Sequence, residues 1–387
     1  MDNSKVLTFL SPTKIYLGVN SHEKLNGIIA ERGIKQLFFL CDGNVVGTEV
    51  FKSVENILKK NLVKFEAFTE IEPDPSAKTV EKAYSICQTT EAPALLALGG
   101  GSTIDVGKAV GILATNGGRI HDYEGIDKFS NPPLPLIAIP TTAGTGSEVS
   151  GSCVITDTER GLKMSIRNAT LNPAKIAILD PTTLISLPAT VATHTAMDAF
   201  VHAFESYISL NASPITDAIN LHAIELIAHN VRTFVSNRSN LDAGLRMLCA
   251  ANLAGMAFGF TGLGNVHCMA RFVGAFFHVS HGLSNAICLP YAAEFNLIAN
   301  PEKYARVALA MGENIYGLTT IEAGQKAIGA IKLLCKDLNI PEKLKEVGGT
   351  KDKIDEMARL AFEANYNRWN PRYTTYEDFL ALFEKAF

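Results

Sequence analysis

The chain has 387 residues, 47% of them hydrophobic and 19% charged, with a formal net charge of −4. That length exceeds what one core usually holds, so two domains are expected, and the apolar content is ample for packed cores. The charge balance gives no electrostatic footing for nucleic acid or an anionic membrane surface, and neither partner is expected. No run approaches the ~20 apolar residues of a membrane span. The first segment, MDNSKVLTFLSPTKIYLG, has no secretory apolar core and reads as a cytoplasmic start. Cys41, Cys87, Cys153, Cys249, Cys268, Cys288 and Cys335 contain no C-x-x-C pair, so reduced, packed thiols are expected.

Apolar runs at 15–17, 36–41, 63–68, 94–98, 136–139 and 177–179 read as strands. Between them, 50–61, 77–89 and 103–114 have helical periodicity. This alternation predicts an open, mostly parallel sheet with helices on both faces. After Pro188 the strand-like runs largely vanish. Helical segments are expected at 190–208, 214–236, 241–258, 264–276, 282–298, 302–312, 320–337 and 351–364. Ser213-Pro214 supplies a hydroxyl cap followed by proline in the first turn. Pro341 and Pro371 mark later breaks. The fold class expected is an α/β domain over 1–187 and an all-α domain over 188–387.

The run 94–98 leads straight into GGGSTIDVGKAV, a strand, a glycine turn and a helix start. Glycine lets backbone approach a ligand closely, and free N–H groups at a helix N-terminus attract phosphate. The spacing is neither G-x-G-x-x-G nor a Walker A loop, so a nucleotide pyrophosphate held without a Walker lysine is expected. The alternative is a tight βα turn that binds nothing. Lys108, two turns into that helix, reads as a surface or pairing residue. A second donor-rich loop, PTTAGTGSE, follows the strand at 136–139. Ligands of open α/β sheets bind at such strand ends, and two polar loops there fit a dinucleotide. Asp42, after the second strand, is placed to accept from a ribose hydroxyl and to repel a 2′-phosphate, which favours NAD(H) over NADP(H). An ordinary Asp-Gly turn is the other reading.

Asp198 and His202 are four apart, so on a helix they share a face, whereas His267 and His281 are fourteen apart and need two elements. One carboxylate and three imidazoles suit iron, zinc, manganese or nickel, and the lack of thiolates argues against a structural zinc knot. His194 falls four before Asp198 and could line the same face. His222 and His229 read as structural, and Cys268 and Cys288 as packing residues beside the ligand segment.

The motifs GGGSTIDVGKA (99–109), IPTTAGTGSEV (139–149), MDAFVHAFESY (197–207), LAGMAF (253–258), GLGNVHCMA (262–270), HGLSNAICLP (281–290) and NPR (370–372) span nearly the whole chain. Together they resemble the iron-dependent, metal-containing alcohol dehydrogenase family, in its lactaldehyde reductase and 1,3-propanediol dehydrogenase branch. The resemblance implies an N-terminal NAD-binding domain and a C-terminal helical metal-binding domain, as in dehydroquinate synthase, with the active site in the cleft between them. It implies that Asp198, His202, His267 and His281 hold one catalytic divalent metal, commonly Fe2+, with Zn2+ or Mn2+ as alternatives. It implies cofactor contacts from Asp42, Gly100, Gly101, Ser102, Thr141, Thr142 and Thr145, and Lys163 and Leu179 match further contact positions. The family has a small residue at His194, so no ligand is expected there. A homodimer or larger homo-oligomer is expected.

The chemistry implied is hydride transfer between a carbinol carbon and nicotinamide, the metal acting as a Lewis acid on the oxygen. A non-redox lyase of the same fold is the distant alternative. The family pattern H-x-M-A-H becomes His267-Cys268-Met269-Ala270-Arg271 here, which removes the second histidine and any proton-relay role it carried. Arg271 shares a helical face with His267, and a guanidinium near a buried cation calls for an anion. His278, Tyr366, Arg368 and Trp369 add further cationic groups and bulk. Ser152 and Phe258 are counted with them as pocket residues. A short aldehyde or alcohol bearing a sulfonate, phosphonate or carboxylate is therefore expected, with sulfoacetaldehyde first and phosphonoacetaldehyde and succinic semialdehyde after it. The alternative is that Arg271 pairs with a protein carboxylate and the substrate is a small neutral alcohol or diol.

Overall fold

Six short runs rich in branched and aromatic side chains pair into one parallel sheet. In the computed structural model, which describes residues 6–90, 92–364 and 366–387, the chain divides into two units, Leu10–Leu187 and 6–9 with Pro188–Phe387. The first unit runs β1 (Lys14–Leu17), α1 (Leu25–Arg32), β2 (Gln36–Cys41), α2 (Glu49–Lys60), β3 (Lys64–Phe68), α3 (Ala77–Thr90), β4 (Leu95–Gly99) and α4 (Gly101–Asn116). It continues with β5 (Gly125–Ile126), β6 (Leu136–Pro140), β7 (Ser152–Asp157), β8 (Leu162–Arg167) and β9 (Ile176–Leu179). The sheet order is β1-β9-β6-β4-β2-β3, and every neighbouring pair is parallel.

The inner strands β4, β6 and β9 are buried along their whole length, which is why they read as unbroken apolar runs rather than alternating ones. In β2, Phe38 and Leu40 join the core on one side of the sheet, while Leu37, Phe39 and Cys41 join the core on the other. Edge strands β1 and β3 carry Lys14, Lys64 and Glu66, charges that discourage pairing with foreign strands. From β2 the chain goes outward to β3 and then returns to the other side of β2 as β4. The order therefore reverses between β2 and β4, the place where open α/β sheets take their ligands.

A second, smaller sheet of β5, β8 and β7 was not expected from the sequence. Its strands alternate in burial: Cys153 and Ile155 of β7 face Ile166 and Met164 of β8 in register, all four buried, with exposed Val154 and part-buried Ser165 between them. A search for continuous apolar runs misses such a hairpin.

The helical unit contains α5 (Ala189–Ile208), α6 (Pro214–Ser236), α7 (Leu241–Thr261), α8 (Asn265–Phe277), α9 (His281–Asn296), α10 (Pro301–Ala310), α11 (Thr320–Asp337), α12 (Ile354–Ala364) and α13 (Tyr376–Ala386). The last of these was not expected. Helix α5 is buried on all sides from Ala196 to Ile208, which makes it the central helix, packed by α6, α7 and α9. Helix α7 is long and apolar enough to cross a membrane by length and composition, contrary to the reading that no run comes close; it packs instead against α5 and α6. The expected boundary at 1–187 also needs correction at its start. The Phe9 ring lies 5.2 Å from Phe260 of α7, which ties residues 6–9 to the helical unit, and residues 1–5 of that range lie outside the described residues.

Lys108 is a pairing residue but not a surface one. It is buried in α4, and its Nζ donates to Ser147 Oγ (3.2 Å), Ser150 O (3.0 Å) and Ser152 O (2.7 Å), with Asp105 Oδ1 at 3.9 Å. Asp105 in turn accepts from Ser147 Oγ and from Val154 N (2.9 Å). Burial pushes Asp105 up and Lys108 down, and each partner's charge opposes that drift. The pair staples segment 147–154 onto α4. Lys108→Met is expected to destabilise the protein by about 2–4 kcal/mol, the cost of stranding a largely buried carboxylate. Urea unfolding checks this, and adding Asp105→Asn should recover part of the loss.

Candidate metal centre and nucleotide loops

Three helices of the second unit carry the expected ligands. Asp198 and His202 sit one turn apart on α5, His267 is in the first turn of α8, and His281 is the first residue of α9. Helix α9 can start this close to α5 because residue 282 is glycine: a Cβ there would stand 2.1 Å from the His194 carbonyl oxygen. One ligand atom each from Asp198, His267 and His281 lie within 4.8 Å of one another. Asp198 Oδ1 is 3.8 Å from His267 Nε2 and 3.6 Å from His281 Nε2. His202 stands outside that group. Its Nδ1 is 3.8 Å from the other oxygen, Asp198 Oδ2, and its ring stacks on Phe258 at 4.5 Å and on His267 at 4.7 Å.

Asp198 is buried. Burial alone would raise its pKa, but the surrounding imidazoles and the Asn285 amide outweigh that and hold it below the usual carboxylate range. A buried carboxylate facing converging imidazole nitrogens is the donor chemistry of a divalent cation, so the residues present fit the metal that the family resemblance implies.

Two further residues shape this centre, and sequence reasoning passed over both. Glu205, seven residues after Asp198 and so on the same face of α5, is buried. Its carboxylate accepts from the N–H groups of Val266 (2.6 Å) and His267 (3.3 Å), capping the free N-terminus of α8. The same carboxylate lies 2.7 Å from His267 Nδ1. Because a carboxylate only accepts, Nδ1 carries the proton and Nε2 turns its lone pair towards Asp198. Asn285, one turn after His281, places Nδ2 2.7 Å from Asp198 Oδ1. The usable signals were a buried-looking acid on an otherwise apolar helix and an amide four residues after a ligand. Asn370 of the NPR motif supports α8 from behind, accepting from Asn265 N (3.2 Å) and exchanging hydrogen bonds with Asn296 of α9 (2.7 and 2.9 Å).

Arg271 is one turn beyond His267, and its guanidinium lies 4.3 Å over the ring of Tyr366. His278 is not drawn into the cluster. It is exposed and takes the left-handed conformation (φ 55°) that ends α8. Arg368 is also exposed, 5.5 Å from the Trp369 ring, and Trp369 packs against Gly262, where a Cβ would stand 2.4 Å from its Cδ1. Of the expected pocket residues in this unit, Phe258 touches the ligand set, through His202. His194 makes a 3.0 Å contact to Ser280 Oγ, and His222 pairs with Glu225 on an exposed face. Cys268 and Cys288 are buried free thiols, and burial raises the Cys268 pKa to about 12.

In the α/β unit, Asp42, Gly100 to Ser102 and Thr141 to Thr145 follow the carboxyl ends of the adjacent strands β2, β4 and β6. The two loops interlock, glycine against threonine. A Cβ on Gly100 would meet Thr142 at 3.3 Å, and one on Gly101 would meet Thr145 at 2.7 Å. Asp42 Oδ1 accepts from Asn44 N (2.9 Å) and Asn44 Nδ2 (3.1 Å), the hydrogen bonding of an ordinary Asp-Gly turn. Leu179 is the buried last residue of β9. Lys163 and Ser152 sit on the smaller sheet, where Lys163 pairs with Asp74 at 2.6 Å and the Ser152 carbonyl accepts from Lys108.

Two family models cover most of the chain: the iron-containing alcohol dehydrogenase model matches residues 12–181, and the Fe-containing alcohol dehydrogenase C-terminal model matches 192–387. The chain is 41% identical to 1,3-propanediol dehydrogenase of Klebsiella pneumoniae over 330 residues, 85% of each chain. It is 34% identical to the NAD-dependent methanol dehydrogenase of Bacillus methanolicus over 378 residues, covering 98% of this chain and 99% of that one. A crystal structure of 1,3-propanediol oxidoreductase superposes with a TM-score of 0.96 at 37% identity, covering 99% of this chain and 100% of that one. With both halves matched, ligand-bearing helices in one unit and glycine loops at the switch point of the other, the chain belongs to the iron-containing alcohol dehydrogenase family and is an oxidoreductase.

Proposed function

We propose that this protein interconverts short alcohols and aldehydes with NAD(H), at a divalent metal held by Asp198, His267 and His281 with His202 as the fourth protein ligand. The observation that carries this reading is the convergence of Asp198 Oδ1, His267 Nε2 and His281 Nε2 on one point. When bound there, a divalent cation supplies Lewis acidity towards the substrate oxygen. The remaining work falls to the chain. Glu205 fixes the His267 tautomer, Phe258 holds the His202 ring by stacking, and Gly282 brings His281 up to α5. Gly100, Gly101, Ser102, Thr141, Thr142 and Thr145 offer hydroxyl and N–H donors for a pyrophosphate, and the Asp42 carboxylate favours an unphosphorylated ribose. Leu179 and Lys163 complete the proposed cofactor contacts by family resemblance.

Propanediol and methanol, the substrates in the relatives' names, support a small neutral alcohol. A second reading rests on Arg271. Its position one turn from His267 puts a guanidinium beside the ligand helix, stacked on Tyr366. A planar, multi-donor cation held by an aromatic ring suits a sulfonate, phosphonate or carboxylate on the substrate, with sulfoacetaldehyde the first case to try. His278 and Arg368, both exposed, would at most steer such an anion.

Removing the metal with a chelator is expected to abolish NADH consumption with aldehydes, and Fe2+ should restore it, with Zn2+ and Mn2+ compared alongside. Activity indifferent to chelation would overturn the metal assignment. For Arg271→His, the anionic reading expects kcat/KM for sulfoacetaldehyde to fall roughly 10- to 100-fold, the loss of a charge-assisted hydrogen bond, while propanal changes little. An unchanged ratio leaves the neutral-alcohol reading.

A further inference from the structure

Asn285 is fully buried on α9, one turn after His281. Its Nδ2 lies 2.7 Å from Asp198 Oδ1 and 3.2 Å from both His267 Nε2 and His281 Nε2. The amide therefore faces the same three atoms that converge as ligands. Its other end is unusual: Oδ1 is buried and accepts no hydrogen bond among the described residues. A buried amide oxygen without a donor costs stability, and a leucine of similar shape would avoid that cost. The oxygen end is thus unsatisfied, whereas the N–H end donates to Asp198.

We infer that Asn285 is a positioning residue for the metal centre, its N–H donor turning the Asp198 carboxylate so that Oδ1 stands among the imidazoles. A carboxylate oxygen has two lone pairs, so Oδ1 can accept from Asn285 and still face a cation, whereas the single Nε2 lone pair of His267 or His281 cannot do both. The hydrogen bond that matters is therefore the 2.7 Å one to Asp198. The role differs from ligation: the residue acts through Asp198 and need not touch the ion.

This inference rests on the metal assignment proposed above, and one experiment separates the two. Zn2+ affinity is measured by competition with a chromophoric chelator on the full chain, for wild type and Asn285→Leu, well below the unfolding transition of either. The visible spectrum of the Co2+-loaded forms is recorded in parallel. Loss of an outer hydrogen bond to a metal ligand is expected to weaken binding about 10- to 100-fold. The Co2+ bands should shift, while the unfolding temperature of the chelator-treated variant does not fall. Wild-type protein that binds no ion would sink the metal assignment itself. Wild type that binds, with Asn285→Leu within about threefold of it and an unchanged Co2+ spectrum, would sink the role given to Asn285. Asn285→Ser, which keeps a donor on a shorter side chain, should recover part of the affinity if donation is what matters.

Discussion

A carboxylate cannot lie inside a helical bundle without partners, and α5 buries two, Asp198 and Glu205, two turns apart on one face. Much of the local structure follows from that constraint. Glu205 is met by the open N-terminus of α8, whose N–H groups need an acceptor, and by His267 on the same turn. Asp198 is met by the start of α9, which Gly282 allows to approach the backbone of α5. Two helices thus begin at α5, each bringing one histidine. The packing and the proposed coordination are solutions to the same electrostatic problem.

The α/β unit solves a different one. Its inner strands are apolar on both faces, so polar function is confined to the strand ends, and three adjacent ends carry the glycine- and threonine-rich loops. A Cβ at residue 101 would collide with Thr145 and one at residue 100 would crowd Thr142, so the fold favours glycine at both, more strongly at 101. Behind the second loop, buried Lys108 and part-buried Asp105 keep its exit in place. The lysine of the glycine-loop motif is thus spent on scaffolding.

Around the proposed ligands, bulky aromatic and cationic side chains pack against one another. Arginine stands where the family pattern has a second histidine, and the ring of Tyr366 holds its guanidinium. Trp369 is accommodated by the missing side chain of Gly262, so a bulky C-terminal segment fits without displacing α7.

The sequence by itself determined the two-part organisation, the strand–glycine–helix loop and the four metal-ligand candidates, because each is written in local periodicity or short spacing. It also marked Arg271 as a departure. Tertiary structure decided what depends on chain segments far apart. Glu205 is bonded to residues 61 and 62 positions away, and Asn285 to one 87 positions away, separations that no local pattern encodes. The alternating hairpin β7–β8 escaped a search for continuous apolar runs because it buries one face only. Lys108 looked like a surface or pairing residue because its partners lie in another loop. His278 was read as a pocket residue from its place three before His281 and Arg368 from its place just before the NPR motif, but neither position gives a side-chain direction, and both are exposed, His278 in the left-handed turn that ends α8. Local sequence fixes which groups are available; only packing decides which of them face one another, because burial and desolvation act through space.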